Sequence, residues 1–290
     1  MKKTNFALWI LTAVSTLTIV SCSKEDMKTG AKPAEFQAAE GQVTGVINAA
    51  AKYTLVKRGY DSIAYHADGR IASVQSPMGK TVYTYGGFGE IYAKTISGNQ
   101  VDRLDTFKTN PDGKVFWSRE KAFTYYSGGT VVVDKVSKYE YDAGGHLIKK
   151  YNVHLPNEAT TFQYNAAGDL TDVWSMDKNG VVIAHSVIGY TFGIGNPQIT
   201  DRFPFVQSFT YLHHPYLGMY GTLSKHLKGS VTHKNPGSSP TTYLYSYILD
   251  QNNVVTMEKM KIQNNSYKKD IPYSWNISYR GVQQPVQPIR

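Results

Sequence analysis

The chain has 290 residues, a formal net charge of +9 at pH 7, 22 tyrosines and a single cysteine. One cysteine excludes an internal disulfide and any multi-cysteine zinc site. A mean hydropathy of −0.37, with charged residues spread through the strand-like stretches, argues against a wall facing lipid.

Residues 1–22 read as a targeting segment. Lys2 and Lys3 precede an apolar run from Phe6 to Val20, too short for a comfortable membrane span. The run ends Thr18-Ile-Val-Ser-Cys22, which resembles a bacterial lipobox. That resemblance implies acylation of the Cys22 thiol and cleavage just before it, and two or three acyl chains anchor a protein stably. Removing residues 1–22 takes away two lysines and no acid, leaving +7. The next residues, Ser23-Lys24-Glu25-Asp26, resemble the surface-export signal of Bacteroidota lipoproteins. They imply an outer-membrane location with the protein facing outward. Residues 23–42 hold little that could form a core and read as a flexible tether.

Residues 43–280 read as a single all-β domain. Aromatic and β-branched residues alternate with polar ones over 81–85, 130–136, 138–141, 160–164, 181–187, 242–248, 254–262 and 274–279. A hairpin repeat runs through this region. Gly69, Gly89, Gly113, Gly145 and Gly168 each follow an apolar residue six positions earlier: Ile63, Tyr83, Phe107, Tyr139 and Phe162. Four positions earlier stand Tyr65, Tyr85, Thr109, Tyr141 and Tyr164; two positions later stand Ile71, Ile91, Val115, Leu147 and Leu170. Positions two apart share a strand face, and glycine supplies the left-handed turn between strands. Asn253 takes the place of glycine in a further copy, and Asp177-Lys-Asn-Gly180 is a weaker one. The fixed places of Tyr83, Tyr85, Tyr139, Tyr141 and Tyr164 mark them as packing residues rather than a binding row.

The pattern breaks over residues 188–240, an irregular insertion in which Asp201 is placed to cap a short helix that Pro215 would end. Function concentrates on such irregular segments. The candidate ligand-binding residues are Trp117, Trp174, Tyr216, Lys225, His226 and Lys228. Residues 281–290 read as a loose tail. No Gly-x-Ser-x-Gly elbow, His-Glu-x-x-His, P-loop or dinucleotide fingerprint occurs. No catalytic residue is therefore assigned, and no cofactor. The carboxylates Asp102 and Asp105 read as part of a charged surface stretch. His213, His214, His226 and His233 lack the spacing of a metal site. No nucleic-acid recognition motif is present.

Three features together resemble a family of Bacteroidota lipoproteins whose domain of unknown function is described as porin-like. They are the lipobox with its acidic follow-on, the Tyr-x-Tyr-Asp-x-x-Gly-x-Leu hairpin at 139–147, and Leu217-Gly-Met-Tyr-Gly-Thr-Leu-Ser-Lys225. The resemblance implies a large curved antiparallel sheet of successive hairpins and leaves open whether it closes into a barrel. The hairpins also resemble the YD repeats of RHS proteins. The expected function is a surface-exposed, non-enzymatic binding or accessory module, held to the membrane at Cys22, with a glycan or an outer-membrane protein as partner. Two alternatives remain: a carbohydrate-active hydrolase, and a structural subunit docked on an outer-membrane transport or secretion complex.

Overall fold

The computed structural model describes residues 54–191, 198–200, 212–251, 253–264 and 267–280. The expected targeting segment, tether, helix from Asp201 and tail lie outside the described residues. Sixteen strands are described: β1 (Thr54–Arg58), β2 (Asp61–Tyr65), β3 (Ile71–Ser76), β4 (Gly79–Tyr85), β5 (Glu90–Ser97), β6 (Gln100–Thr109), β7 (Val115–Tyr126) and β8 (Gly129–Tyr141). They continue as β9 (Leu147–Asn152), β10 (Ala159–Tyr164), β11 (Leu170–Met176), β12 (Val182–Gly189), β13 (Ser230–Lys234), β14 (Thr241–Leu249), β15 (Val255–Asn264) and β16 (Tyr267–Arg280). Each pairs antiparallel with its sequence neighbours. β1 also pairs with β16, Thr54 opposite Arg280, and the sheet closes into a barrel.

The repeat builds one end of this barrel. Its glycines have positive φ, from 74° at Gly89 to 85° at Gly69, and Asn253 joins them at 61°. At Gly113, Gly145, Gly168 and Asn253 an Asp or Asn three places earlier caps the turn. Asp142 Oδ1, for instance, accepts the His146 N–H at 2.8 Å, and Asn110 and Asp250 do the same for Lys114 and Val254. The residues six before and two after the glycine face inward and are buried, Phe107, Val115, Leu147 and Leu170 completely, save Ile91, which is half-buried.

The tyrosine four places before the glycine has a second task. Its hydroxyl donates to a backbone carbonyl of the preceding hairpin: Tyr85 to Ile71, Tyr141 to Val115 and Tyr164 to Leu147, at 2.8–2.9 Å. Tyr190 extends the series to Leu170, also at 2.8 Å. Hairpin is thus stapled to hairpin around the rim. Tyr164→Phe should cost about 1–2 kcal/mol in urea unfolding, since it strands the Leu147 carbonyl. Tyr126→Phe, at an exposed hairpin tip, should stay within about 0.5 kcal/mol. Equal effects would remove the staple.

Between β12 and β13, the described residues 212–228 plug the lumen at this same end. Leu212, Met219 and Tyr220 are buried in one cluster with Tyr83, Phe107, Tyr139 and Leu170. The plug satisfies wall donors: Val115 N–H bonds the Met219 carbonyl at 2.9 Å and Leu170 N–H the Leu223 carbonyl at 3.1 Å. Asp169 is buried and accepts the Lys225 and His226 backbone N–H groups at 2.9 and 3.0 Å. Gly221 lies so close to the wall that a Cβ there would fall 2.8 Å from the Gly145 carbonyl oxygen. The irregular stretch expected over 188–240 is therefore shorter, because β13 lies within it. The only helix described in it is one 3-10 turn at Pro215–Leu217.

Register assigns the charges of the wall to two faces. Lys57, Lys94, Arg119, Lys138, Lys259 and Lys261 point outward and are exposed. Each such charge facing lipid at mid-depth would cost about 2–4 kcal/mol. The outer wall is built for water. Arg103, Glu120, Lys135 and Lys150 instead point inward. Asp105, expected on the surface, is 2% exposed inside the barrel.

Candidate functional site

Beyond the plug the lumen is polar and opens at the end formed by the β1–β2 and β3–β4 turns. Two ionic networks line it. In the first, Glu120 accepts Arg103 Nη2 at 2.7 Å and Lys150 Nζ at 2.8 Å. Arg103 Nε also donates to Asp105 at 2.6 Å, and the His214 ring of the plug links Asp105 Oδ2 (2.6 Å) to the Tyr83 hydroxyl (3.0 Å). Burial raises the Glu120 pKa, but Lys150, His213 and Arg103 outweigh it and hold the carboxyl down at about 2. Burial together with Arg103 lowers His213 below the usual imidazole range. This network pins the plug to β6, β7 and β9.

The second network faces a cavity of about 630 Å³, within the range of small-ligand sites. Arg58 on β1 donates twice to Glu258 Oε2 on β15, at 2.8 and 3.2 Å. Asp61 on β2 accepts the Tyr216 hydroxyl of the plug at 2.6 Å. Lys228 is buried with its ammonium 4.3 Å from the centre of the Tyr245 ring. Burial lowers its pKa to about 8, with Glu258 opposing the shift. Tyr60, Tyr243, Tyr245 and Trp275 give the cavity aromatic surfaces, and Ser186, His233 and Met260 complete much of the lining. Trp275 packs over Gly59, where a Cβ would fall 2.2 Å from the indole Cδ1. A second cavity of about 360 Å³ shares Arg58, Asp61, Ser76 and Tyr216 with the first and reaches Arg103, His213 and His214.

The six candidate residues from the sequence do not form one site. Tyr216 and Lys228 meet in the larger cavity. Lys225 and His226 sit at the plug's contact with Asp169, whose Oδ2 lies 2.8 Å from His226 Nδ1. Trp117 and Trp174 are on the outer wall. Trp174 stacks on His185 at 4.7 Å, and Lys108 Nζ lies 5.7 Å from the Trp117 ring. Sequence reasoning missed Arg58, Asp61, Glu258 and Trp275. They come from opposite ends of the chain and are joined by the closure of β1 on β16, which leaves no spacing to detect. Among the described residues no group of three or more His, Cys, Asp or Glu is placed to hold a metal ion.

No protein-family model matches the chain, and no curated protein does. Solved structures do. A porin-like protein from Bacteroides uniformis superposes with a TM-score of 0.54 at 16% identity, over 79% of this chain and 94% of that one. TcdB2–TccC3 lacking its hypervariable C-terminal region matches at a TM-score of 0.30 and 15% identity, and this chain covers 14% of its length. The Bacteroides likeness establishes the porin-like barrel fold.

Proposed function

We propose that the protein is an outer-membrane lipoprotein, anchored at Cys22 and facing outward, whose barrel is a non-enzymatic module binding a glycan in its lumen. The observation that carries this reading is the larger cavity, where aromatic faces stand beside Arg58, Asp61, Lys228 and Glu258. Sugars need both: ring faces pack on C–H surfaces while polar groups take the hydroxyls. The water-facing outer wall and the plug speak for a binding barrel rather than a pore. Thr54 begins β1 at the plugged end, opposite the mouth of the lumen. The carboxylates suit binding better than hydrolysis, because Glu258 is already held by Arg58 and Asp61 by Tyr216.

Binding is tested by titrating the purified protein with oligosaccharides and following tryptophan fluorescence. A saturable change is expected, with Trp275→Ala weakening binding at least tenfold. No binding across a broad glycan panel would sink the reading. Labelling with radioactive palmitate, abolished by Cys22→Ala, tests the anchor. A second reading, a subunit docked on an outer-membrane complex, draws on the β7–β8 hairpin, which exposes Tyr126, Val131, Val132 and Val133. Brief crosslinking in intact cells would capture such a partner.

A further inference from the structure

Glu258 has a hydrogen-bonding capacity that the protein leaves unused. It is 0% exposed, and both bonds from Arg58 fall on Oε2, while Oε1 has no hydrogen-bond partner. An unsatisfied buried oxygen of this kind is costly, more so when charged, so a donor delivered to it is strongly favoured. Glu258 lines the 630 Å³ cavity with Oε1 covered by its neighbours, so an occupant that moves those neighbours aside supplies such a donor.

The charges of the lining restrict that occupant. Arg58 and Lys228 are balanced by Asp61 and Glu258. Burial lowers the His233 pKa, with Lys228 acting in the same direction, which keeps this ring neutral at pH 7. A ligand with net charge of either sign would upset a balance already made inside the wall. Among the described residues, Lys57, Lys94, Lys138, Lys259 and Lys261 stand on the outer face, away from the cavity.

We infer that the lumen selects a neutral, hydroxyl-bearing sugar and that Glu258 is its specificity-determining residue, with Oε1 accepting a hydrogen bond from a ligand hydroxyl. This deepens the glycan reading above and rests on it. The aromatic floor takes the apolar face of the sugar. Glu258 reads one edge of it, and Arg58 holds the carboxylate in place for that task.

The test is calorimetry on the full-length protein with neutral oligosaccharides of glucose, mannose and galactose, beside the matching uronic acid oligomers. Neutral sugars should bind and uronates should bind at least tenfold more weakly. For the best neutral sugar, one monodeoxy analogue should lose tenfold or more, because the site built for that hydroxyl is left unpaired. Glu258→Gln should bind the parent at least tenfold more weakly and discriminate that analogue less. The deoxy series uses the unmodified protein and decides the matter even where Glu258→Gln folds poorly. Uronates binding as tightly as neutral sugars, or every monodeoxy analogue within twofold of the parent, would overturn the inference and leave the glycan reading standing. If no sugar of either kind binds, both fall together.

Discussion

Glu120→Ala is expected to destabilise the barrel by about 3–5 kcal/mol, the cost of leaving buried charges without their partner. Lys150 and Glu120 are each only 9% exposed in their side chains, and their 2.8 Å contact lies in the lumen wall. Removing the carboxylate strands Lys150 outright and leaves Arg103 with Asp105 alone. The second member of the pair can be removed too. Glu120→Leu combined with Lys150→Met should recover at least half of the loss, because a packed apolar pair needs no compensation. Urea unfolding of the single and double variants measures this, and a double variant as unstable as the single one would refute it.

The same group sets a pH dependence. The Glu120 pKa is held at about 2 in the fold, below its ordinary 4.5. A depressed carboxylate stabilises fully above the unfolded value and loses that contribution as pH falls. The unmodified protein should therefore lose stability between about pH 4.5 and pH 2, and Glu120→Ala should lose less over that interval.

Asp169→Ala should release the plug. The side chain accepts Lys225 N–H, His226 N–H and the His226 ring from a fully buried position. Its loss leaves two backbone donors without an acceptor, worth about 3 kcal/mol together. Asp169→Asn keeps an acceptor for the backbone groups and should cost about 1 kcal/mol. Limited proteolysis reads the local effect: cleavage between residues 212 and 228 should accelerate in Asp169→Ala before the barrel itself unfolds. Cleavage rates unchanged in both variants would mean that the plug is held elsewhere.

The hairpin repeat was legible because its physics is local. A left-handed turn residue, a capping Asp or Asn and two inward positions lie within nine residues of one another. The closure, which the sequence left open, depends on β1 meeting β16, and no local pattern encodes it. The placing of Trp117 and Trp174 fails for a definable reason. Counting by twos from Val115 or Leu170 brings both indoles inside. A β-bulge just after each of these residues shifts the register, so Ser118 and Val173 face inward and the tryptophans face out. The same shifts hid which charged residues belong to the lumen. Tyr216 and Lys228 were found because they lie in the one segment that departs from the repeat.

The closed ring has a consequence for the making of the protein. Every strand finds its neighbour next to it in sequence, save at the seam where Thr54 and Leu55 meet Arg280 and Tyr279. A chain emerging N-terminus first therefore carries β1 with an uncovered edge until the last fourteen-residue strand arrives. Uncovered edges recruit other strands, including those of identical chains. Synthesis thus leaves an interval in which the nascent sheet is most vulnerable to self-association, and arrival of β16 ends it by removing both edges at once.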